Sequence, residues 1–179
     1  MVQAPSGPDP LPRQPEDARS APHRPADATA RALARTILQD ARHATLAVLD
    51  AEGWPMTSRI AFQCDEAGLP LALLSDLALH TRCLRRDPRA ALLIDGPNGD
   101  RGWALNRARL SLQLRAAPAD PALRAGQAAR WRDRDPKAAV TLGLADFRFW
   151  RLDVRGGLLN AGFGRAFLMT AADLLPAPD

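Results

Sequence analysis

Two short turns, Asp50-Ala51-Glu52-Gly53 and Asp65-Glu66-Ala67-Gly68, constrain this chain more than any other feature. Each lies between runs of strand-forming residues, and their acid-plus-glycine composition suits a tight reversal. A connection that short cannot hold a crossover helix, so the strands it joins pair antiparallel. A doubly wound parallel sheet, which needs a helix after most strands, is excluded.

The runs themselves repeat with period two. Leu46 and Val48 alternate with Thr45, Ala47 and Leu49; Met56, Ser58, Ile60 and Phe62 point one way, Thr57, Arg59, Ala61 and Gln63 the other. Pro70 to Ser75 and Arg89 to Asp95 read as further strands. Arg107 to Ala116 alternates most cleanly, with Leu110, Leu112 and Leu114 facing in. The last strands are predicted as Phe147–Val154 and Leu158–Phe167, divided by Gly156-Gly157, with the glycine-containing run Gly162 to Phe167 as a bent edge. Helical spacing appears from Ala28 to Arg42, with Asp27 or Thr29 as N-cap, and from Leu77 to Arg86, stopped by Asp87-Pro88. It returns from Asp120 or Pro121 to about Arg134, carrying Leu123, Ala128 and Trp131, and again from Pro136 to Thr141. A Gly/Pro/Asn-rich loop occupies 96–102. Five or six strands with three or four helices predict a mainly β protein, an antiparallel barrel with peripheral helices.

At 179 residues the chain is long enough for one domain with a sizeable core. Residues 1–27 are rich in Pro, Ala, Ser, Asp and Arg without hydrophobic period, which predicts a disordered leader; residues 28–179 form the folded domain. The opening residues lack the charged and apolar segments of a secretory signal, and no apolar run approaches bilayer-spanning length. The expectation is a cytoplasmic protein without a membrane partner. Cys64 and Cys83 have no metal-ligand spacing and are expected to be thiols.

A net charge of +4 looks at first like a nucleic-acid signal. Yet Lys137 is the only lysine among 24 basic residues, and the arginines are interleaved with acids, as in Arg132-Asp133-Arg134-Asp135. No aromatic stacking platform accompanies them, so nucleic acid is not the expected partner. Hydrolase, Walker, zinc-protease and cysteine-zinc motifs are also absent.

The stretch Leu73 to Ile94 carries the chemistry. A buried strand runs into a helix start lined with Ser75, Asp76, His80, Thr81 and Arg82. Unpaired N–H groups and the helix dipole favour an anion at such a place, so a phosphorylated ligand is the first hypothesis. An ordinary strand–helix–strand corner is the bland alternative, and a histidine on an apolar helix face is commonly a satisfied boundary residue. Arg59 in mid-strand must reach solvent, a carboxylate or a bound phosphate. Arg107 and Arg109 could meet an anion together with it, or simply be solvated. Asp146 reads as a strand-entry cap.

The order of these pieces resembles the pyridoxamine 5'-phosphate oxidase-like, FMN-binding split-barrel superfamily, and within it the haem-utilisation subgroup. The resemblance spans about Ala30 to Leu174 and rests on four segments: ARTILQDARHATLAVLDAEGWPMTSRIAF, LLSDLALHTRCLRRDPRAALLI, RARLSLQLRA and LADFRFWRLDVRGGLLNAGFGRAF. It implies a split β-barrel homodimer with a flavin at the seam. Ser58, Arg59 and Ile60 match the strand that holds phosphate and ring; Ser75 and Asp76 match the strand end near the phosphate and ribityl chain. Leu79-His80 falls where the oxidase has an Arg-Lys pair gripping the phosphate, Thr81 fits the subgroup's His-Thr pattern, and Arg109 takes the place of a glutamine near the ring. His80, Thr81, Arg59 and Arg82 are left to neutralise the phosphate. The oxidase's substrate-binding C-terminal pattern is missing, so pyridoxamine phosphate is not the expected substrate. Asp146 matches an acidic position of the subgroup. No histidine follows His80, which removes a C-terminal iron ligand and counts against haem degradation in the family's manner. The resemblance therefore implies an FMN-dependent oxidoreductase of unknown small-molecule substrate, with a haem-binding or haem-degrading protein and a cofactor-free dimeric module as alternatives.

Overall fold

The computed structural model describes residues 23–96, 103, 106–162 and 164–176. The elements in chain order are β1 (Arg24–Pro25), α1 (Ala28–Asp40), β2 (His43–Leu49), β3 (Pro55–Cys64), β4 (Pro70–Ser75), α2 (Leu79–Arg86), β5 (Arg89–Asp95), β6 (Arg109–Pro118), α3 (Arg124–Arg134), α4 (Ala139–Leu142), β7 (Phe147–Asn160), β8 (Ala166–Thr170) and α5 (Ala171–Leu174). Sheet order is β1-β8-β7-β4-β3-β2-β5-β6, and β6 pairs back onto β7. Six strands thus close into a barrel, with β8 and β1 as an outlying pair. Among the described residues only the β1–β8 pairing is parallel. The split barrel expected from the sequence is the fold observed.

Both acidic turns work as anticipated. Asp50 accepts from the backbone N–H of Glu52 and Trp54 through Oδ1, and Gly53 takes φ +88°. Asp65 Oδ1 accepts from Leu69 N–H at 2.8 Å. A left-handed backbone at Gly53 would strain any side-chain-bearing residue.

The barrel interior is filled by alternating residues, among them Leu46, Val48, Phe62, Leu74, Leu92, Leu110, Leu112 and Leu114. Three helices complete this core, α5 contributing Leu174. Asp27 caps α1 by accepting from Ala30 N–H at 2.7 Å, and Ala34, Ile37 and Leu38 turn inward. From α2 come Cys83 and Leu84. A second, smaller core lies outside the barrel, where Leu71 and Leu73 of β4 and Phe149 of β7 pack under Trp131 of α3 and Leu142 of α4. Trp131 and Phe149 meet edge to face, centroids 5.2 Å apart. Covered on both sides, β4 is apolar at almost every position.

Three expectations need correction. Gly156-Gly157 does not divide two strands: β7 runs unbroken through it for 14 residues. Leu114 faces Val154 while Gln113 faces Gly156, so Arg155 is the extra residue of a bulge. A Cβ on Gly157 would lie 2.3 Å from the carbonyl oxygen of Ser111, so this glycine is required by a close strand approach. The run Gly162 to Phe167 is not a bent edge strand. Its described residues make a turn, with Gly162 and Gly164 at positive φ, leading into β8. Finally, Leu123 sits in a 3-10 turn, Pro121–Leu123, and is exposed rather than on a buried helix face. The loop predicted over 96–102 falls, beyond Gly96, outside the described residues, as does most of the predicted leader.

Candidate functional site

The β4–α2 corner forms, but its polar groups already have protein partners. Ser75 donates its hydroxyl to Asp146 Oδ2 and accepts from Leu77 N–H at 3.1 Å. Asp76 N–H donates to the Asp146 carbonyl at 2.8 Å. The Asp76 carboxylate pairs with Arg85 at 2.5 Å and Arg148 at 3.8 Å. Asp146 therefore ties the end of β4 to the start of β7, a larger role than a strand cap. No side chain caps α2, which leaves its first-turn N–H groups open.

His80 enters the site from α2. Its Nδ1 is 3.0 Å from Ser58 Oγ on β3, and burial lowers its pKa below the ordinary 6.5. At neutral pH the imidazole is uncharged, so the free protein presents a hydrogen-bonding group here and not the cation expected from sequence. Thr81 is fully buried, and its hydroxyl has no partner among the described residues. Ile60 is in the core and can offer a ligand only its backbone.

Arg59 and Arg109 belong to a different surface. Pleating sends Arg59 outward, away from Ser58 and Ile60, and it makes no hydrogen bond or ion pair among the described residues. Arg109 pairs with Asp95 in register, lies on the same outer side and donates to the Arg107 carbonyl at 3.3 Å. Two strands, β2 and β5, separate β3 from β6, a gap of about 14 Å. Within one protomer these arginines do not meet on one anion. Arg82 is exposed on α2.

Between them the outer face is bare and nearly uncharged. Arg59 pairs with Thr45, Thr45 with Leu93, Leu93 with Ser111, Ser111 with Leu158, and Leu158 with Leu168, a row crossing six strands. The adjoining row runs Thr57, Ala47, Ala91, Gln113 and Gly156. Leu93 and Leu168 are 41% and 56% exposed. Apolar residues standing open in a strand pattern mark a surface that something covers. At the β7–β8 end of this face lies a cavity of about 400 Å³, whose walls include His23, Ser111, Arg155, Gly157, Leu158 and Leu168.

Sequence reasoning missed this face. Its signal was present in Leu92-Leu93, neighbouring leucines that must point to opposite sides of β5. Among the described residues no three His, Cys, Asp or Glu side chains converge as a metal centre, and no helix is long and apolar enough to cross a membrane.

A six-stranded closed barrel, an outlying strand pair and peripheral helices define a split β-barrel. The chain belongs to the pyridoxamine 5'-phosphate oxidase family, whose profile matches residues 30–159. It is 31% identical over 117 residues to the non-canonical heme oxygenase HOZ of Arabidopsis thaliana chloroplasts, covering 65% of this chain and 35% of that protein. Heme oxygenase HutZ of Vibrio cholerae is 28% identical over 140 residues, 76% of this chain and 79% of the other. A heme binding protein from Mycobacterium smegmatis superposes with a TM-score of 0.73 at 30% identity, over 83% of this chain and 60% of that one. This chain thus spans about a third of the chloroplast protein's length.

Proposed function

We propose that the chain is a cytoplasmic, homodimeric haem-binding protein of haem utilisation, with the bare outer sheet face as the seam between two copies. The observation that carries this reading is that face: an almost uncharged row across six strands, with a free guanidinium, Arg59, at one margin and Arg155 near the other. A flat macrocycle with anionic side chains needs apolar contact along its plane and cations at its edge, and these residues fit that need. A face whose charges stand only at its margins can meet its own copy through an uncharged centre. Two free, buried thiols, Cys64 and Cys83, suit a reducing compartment.

Haem, when bound, supplies the iron and oxygen chemistry. This chain's residues would bind and orient: Leu93, Leu158 and Leu168 exclude water, and Arg155, at the cavity, holds a carboxylate. His80 offers a neutral hydrogen-bonding group anchored on Ser58.

FMN is the second reading, and one observation favours it. The start of α2 carries no side-chain cap, and His80 there is anchored on Ser58. A phosphate at that place would meet open N–H groups and the imidazole, with Arg59 on the opposite side of β3. The oxidoreductase substrate would be a small molecule.

One experiment separates the two. Purified protein is titrated with haemin and, separately, with FMN, following absorbance, while sedimentation gives the mass. A saturable Soret band on a dimer is expected. Tight FMN binding without haem binding selects the second reading, and a monomer that takes neither overturns both.

A further inference from the structure

We infer that His23 is the axial ligand through which this chain holds haem iron. The inference rests on the haem reading and names the donor that reading lacks. Haem iron is held in proteins by imidazole, thiolate, thioether or phenolate. This chain has three histidines, two cysteines, three methionines and no tyrosine.

Most of these donors are excluded by their placement. Cys64 is buried and its thiol is pushed up to about 11, mainly by desolvation; Cys83 is buried in the barrel core. Met169 borders the cavity but is 4% exposed, with its side chain in the core; Met56 packs against that core, and Met1 lies outside the described residues. His80 has its Nδ1 at Ser58 and lies beside the interior. His43 pairs with Ala61 in the row beside Arg59 and Thr45, on the same outer face, but β5 and β6 separate its strand from β7, whose Arg155 and Leu158 line the cavity.

His23 stands elsewhere. Arg24 registers with Phe167 and Pro25 with Leu168, so the preceding residue falls beside Ala166, on the same side of the sheet as Leu168. There it lines the cavity of about 400 Å³ at the end of the uncharged face. It makes no hydrogen bond or ion pair among the described residues, which leaves its ring free to turn. The cavity brings three complementary chemistries together. An imidazole can coordinate the metal, Leu158, Leu168 and side-chain-free Gly157 give apolar contact, and the Arg155 guanidinium can take a propionate. Arg155 owes its position to the bulge, which places an extra residue opposite Gln113–Leu114. Apolar floor, cation and metal donor thus occur in one concavity, on the face already assigned to the macrocycle.

The test compares wild-type protein with His23→Ala and His43→Ala by haemin titration and resonance Raman spectroscopy. Wild-type and His43→Ala should show the iron–imidazole signature. His23→Ala should lose it, bind haemin about tenfold more weakly or worse, and regain the signature with added imidazole. Sedimentation of His23→Ala, expected to match wild type, controls for the assembly. An unaltered spectrum in His23→Ala, or loss of the signature in His43→Ala instead, overturns the assignment while leaving the haem reading intact. A wild-type protein that binds no haemin fails the haem reading itself.

Discussion

Ser58 and His80 lie 22 residues apart in sequence, yet the serine hydroxyl and imidazole Nδ1 are 3.0 Å apart. The contact joins the strand and the helix that carry most of the sequence-predicted phosphate residues. It also holds the imidazole where burial disfavours its charged form.

That burial sets a pH dependence. His80 in the folded protein has a pKa below 6.5, so the unfolded chain binds more protons between the folded value and 6.5. Its contribution to stability is complete above about 6.5 and is lost as pH falls through the folded value. NMR titration should give a His80 midpoint below 6.5, and His80→Gln should show a shallower fall in melting temperature on acidification. A midpoint at or above 6.5 would mean a solvated ring.

Arg59 should separate binding from stability. Its side chain is exposed and unpaired among the described residues, so Arg59→Ala should change unfolding free energy by less than about 0.5 kcal/mol. The same change removes a charge-assisted contact and should weaken anionic cofactor binding about tenfold or more. Equal affinity in mutant and parent would take Arg59 out of the site.

How much of this was legible in the sequence follows from what each signal measures. The acid–glycine turns and the alternation of Leu110, Leu112 and Leu114 report local geometry, and both survived intact. Gly156-Gly157 misled because glycine marks either a break or a close approach. Only the position of Ser111 across the ladder decides between them. Ser75 and Asp76 were correctly placed at a strand end, but their engagement by Asp146 and Arg85 depends on residues distant in sequence or beyond the corner. His23 was hidden in a Pro/Ala-rich stretch, and only the parallel pairing of Arg24 and Pro25 with β8 brings it to the face.

Leu93 tests the seam. It is 41% exposed at the centre of the outer row, between Thr45 and Ser111. Leu93→Arg should leave the circular dichroism spectrum unchanged, because no core contact is lost. It should halve the sedimenting mass and weaken haemin binding together, since two like charges would meet across the seam. A dimer of unchanged affinity would move the seam to another surface.

Thr81 carries a different cost. Its hydroxyl is buried without a partner among the described residues, and such a group lowers stability by about 1–3 kcal/mol. Valine keeps the β-branched shape while removing the polar atom. Thr81→Val should therefore raise unfolding free energy by about 1 kcal/mol in denaturant titration. Destabilisation instead would show that the hydroxyl is satisfied in solution.

Gly157 links the barrel's closure to its outer face. Its Cβ position lies 2.3 Å from Ser111 O and 2.8 Å from a methyl of Leu112, and the first of these is backbone that cannot swing aside. Gly157→Ala must push β6 and β7 apart where their ladder closes the barrel beside the Arg155 bulge. Overpacking of this kind costs about 1–3 kcal/mol. The same displacement would raise the floor of the His23 cavity, so haemin affinity should fall with stability. Gly53→Ala supplies the contrast: it strains a left-handed turn at φ +88° with no atom within 4 Å, and should cost stability without touching haemin binding. If Gly157→Ala unfolds at the wild-type denaturant midpoint, the two strands are not held as closely as Ser111 and Gly157 require.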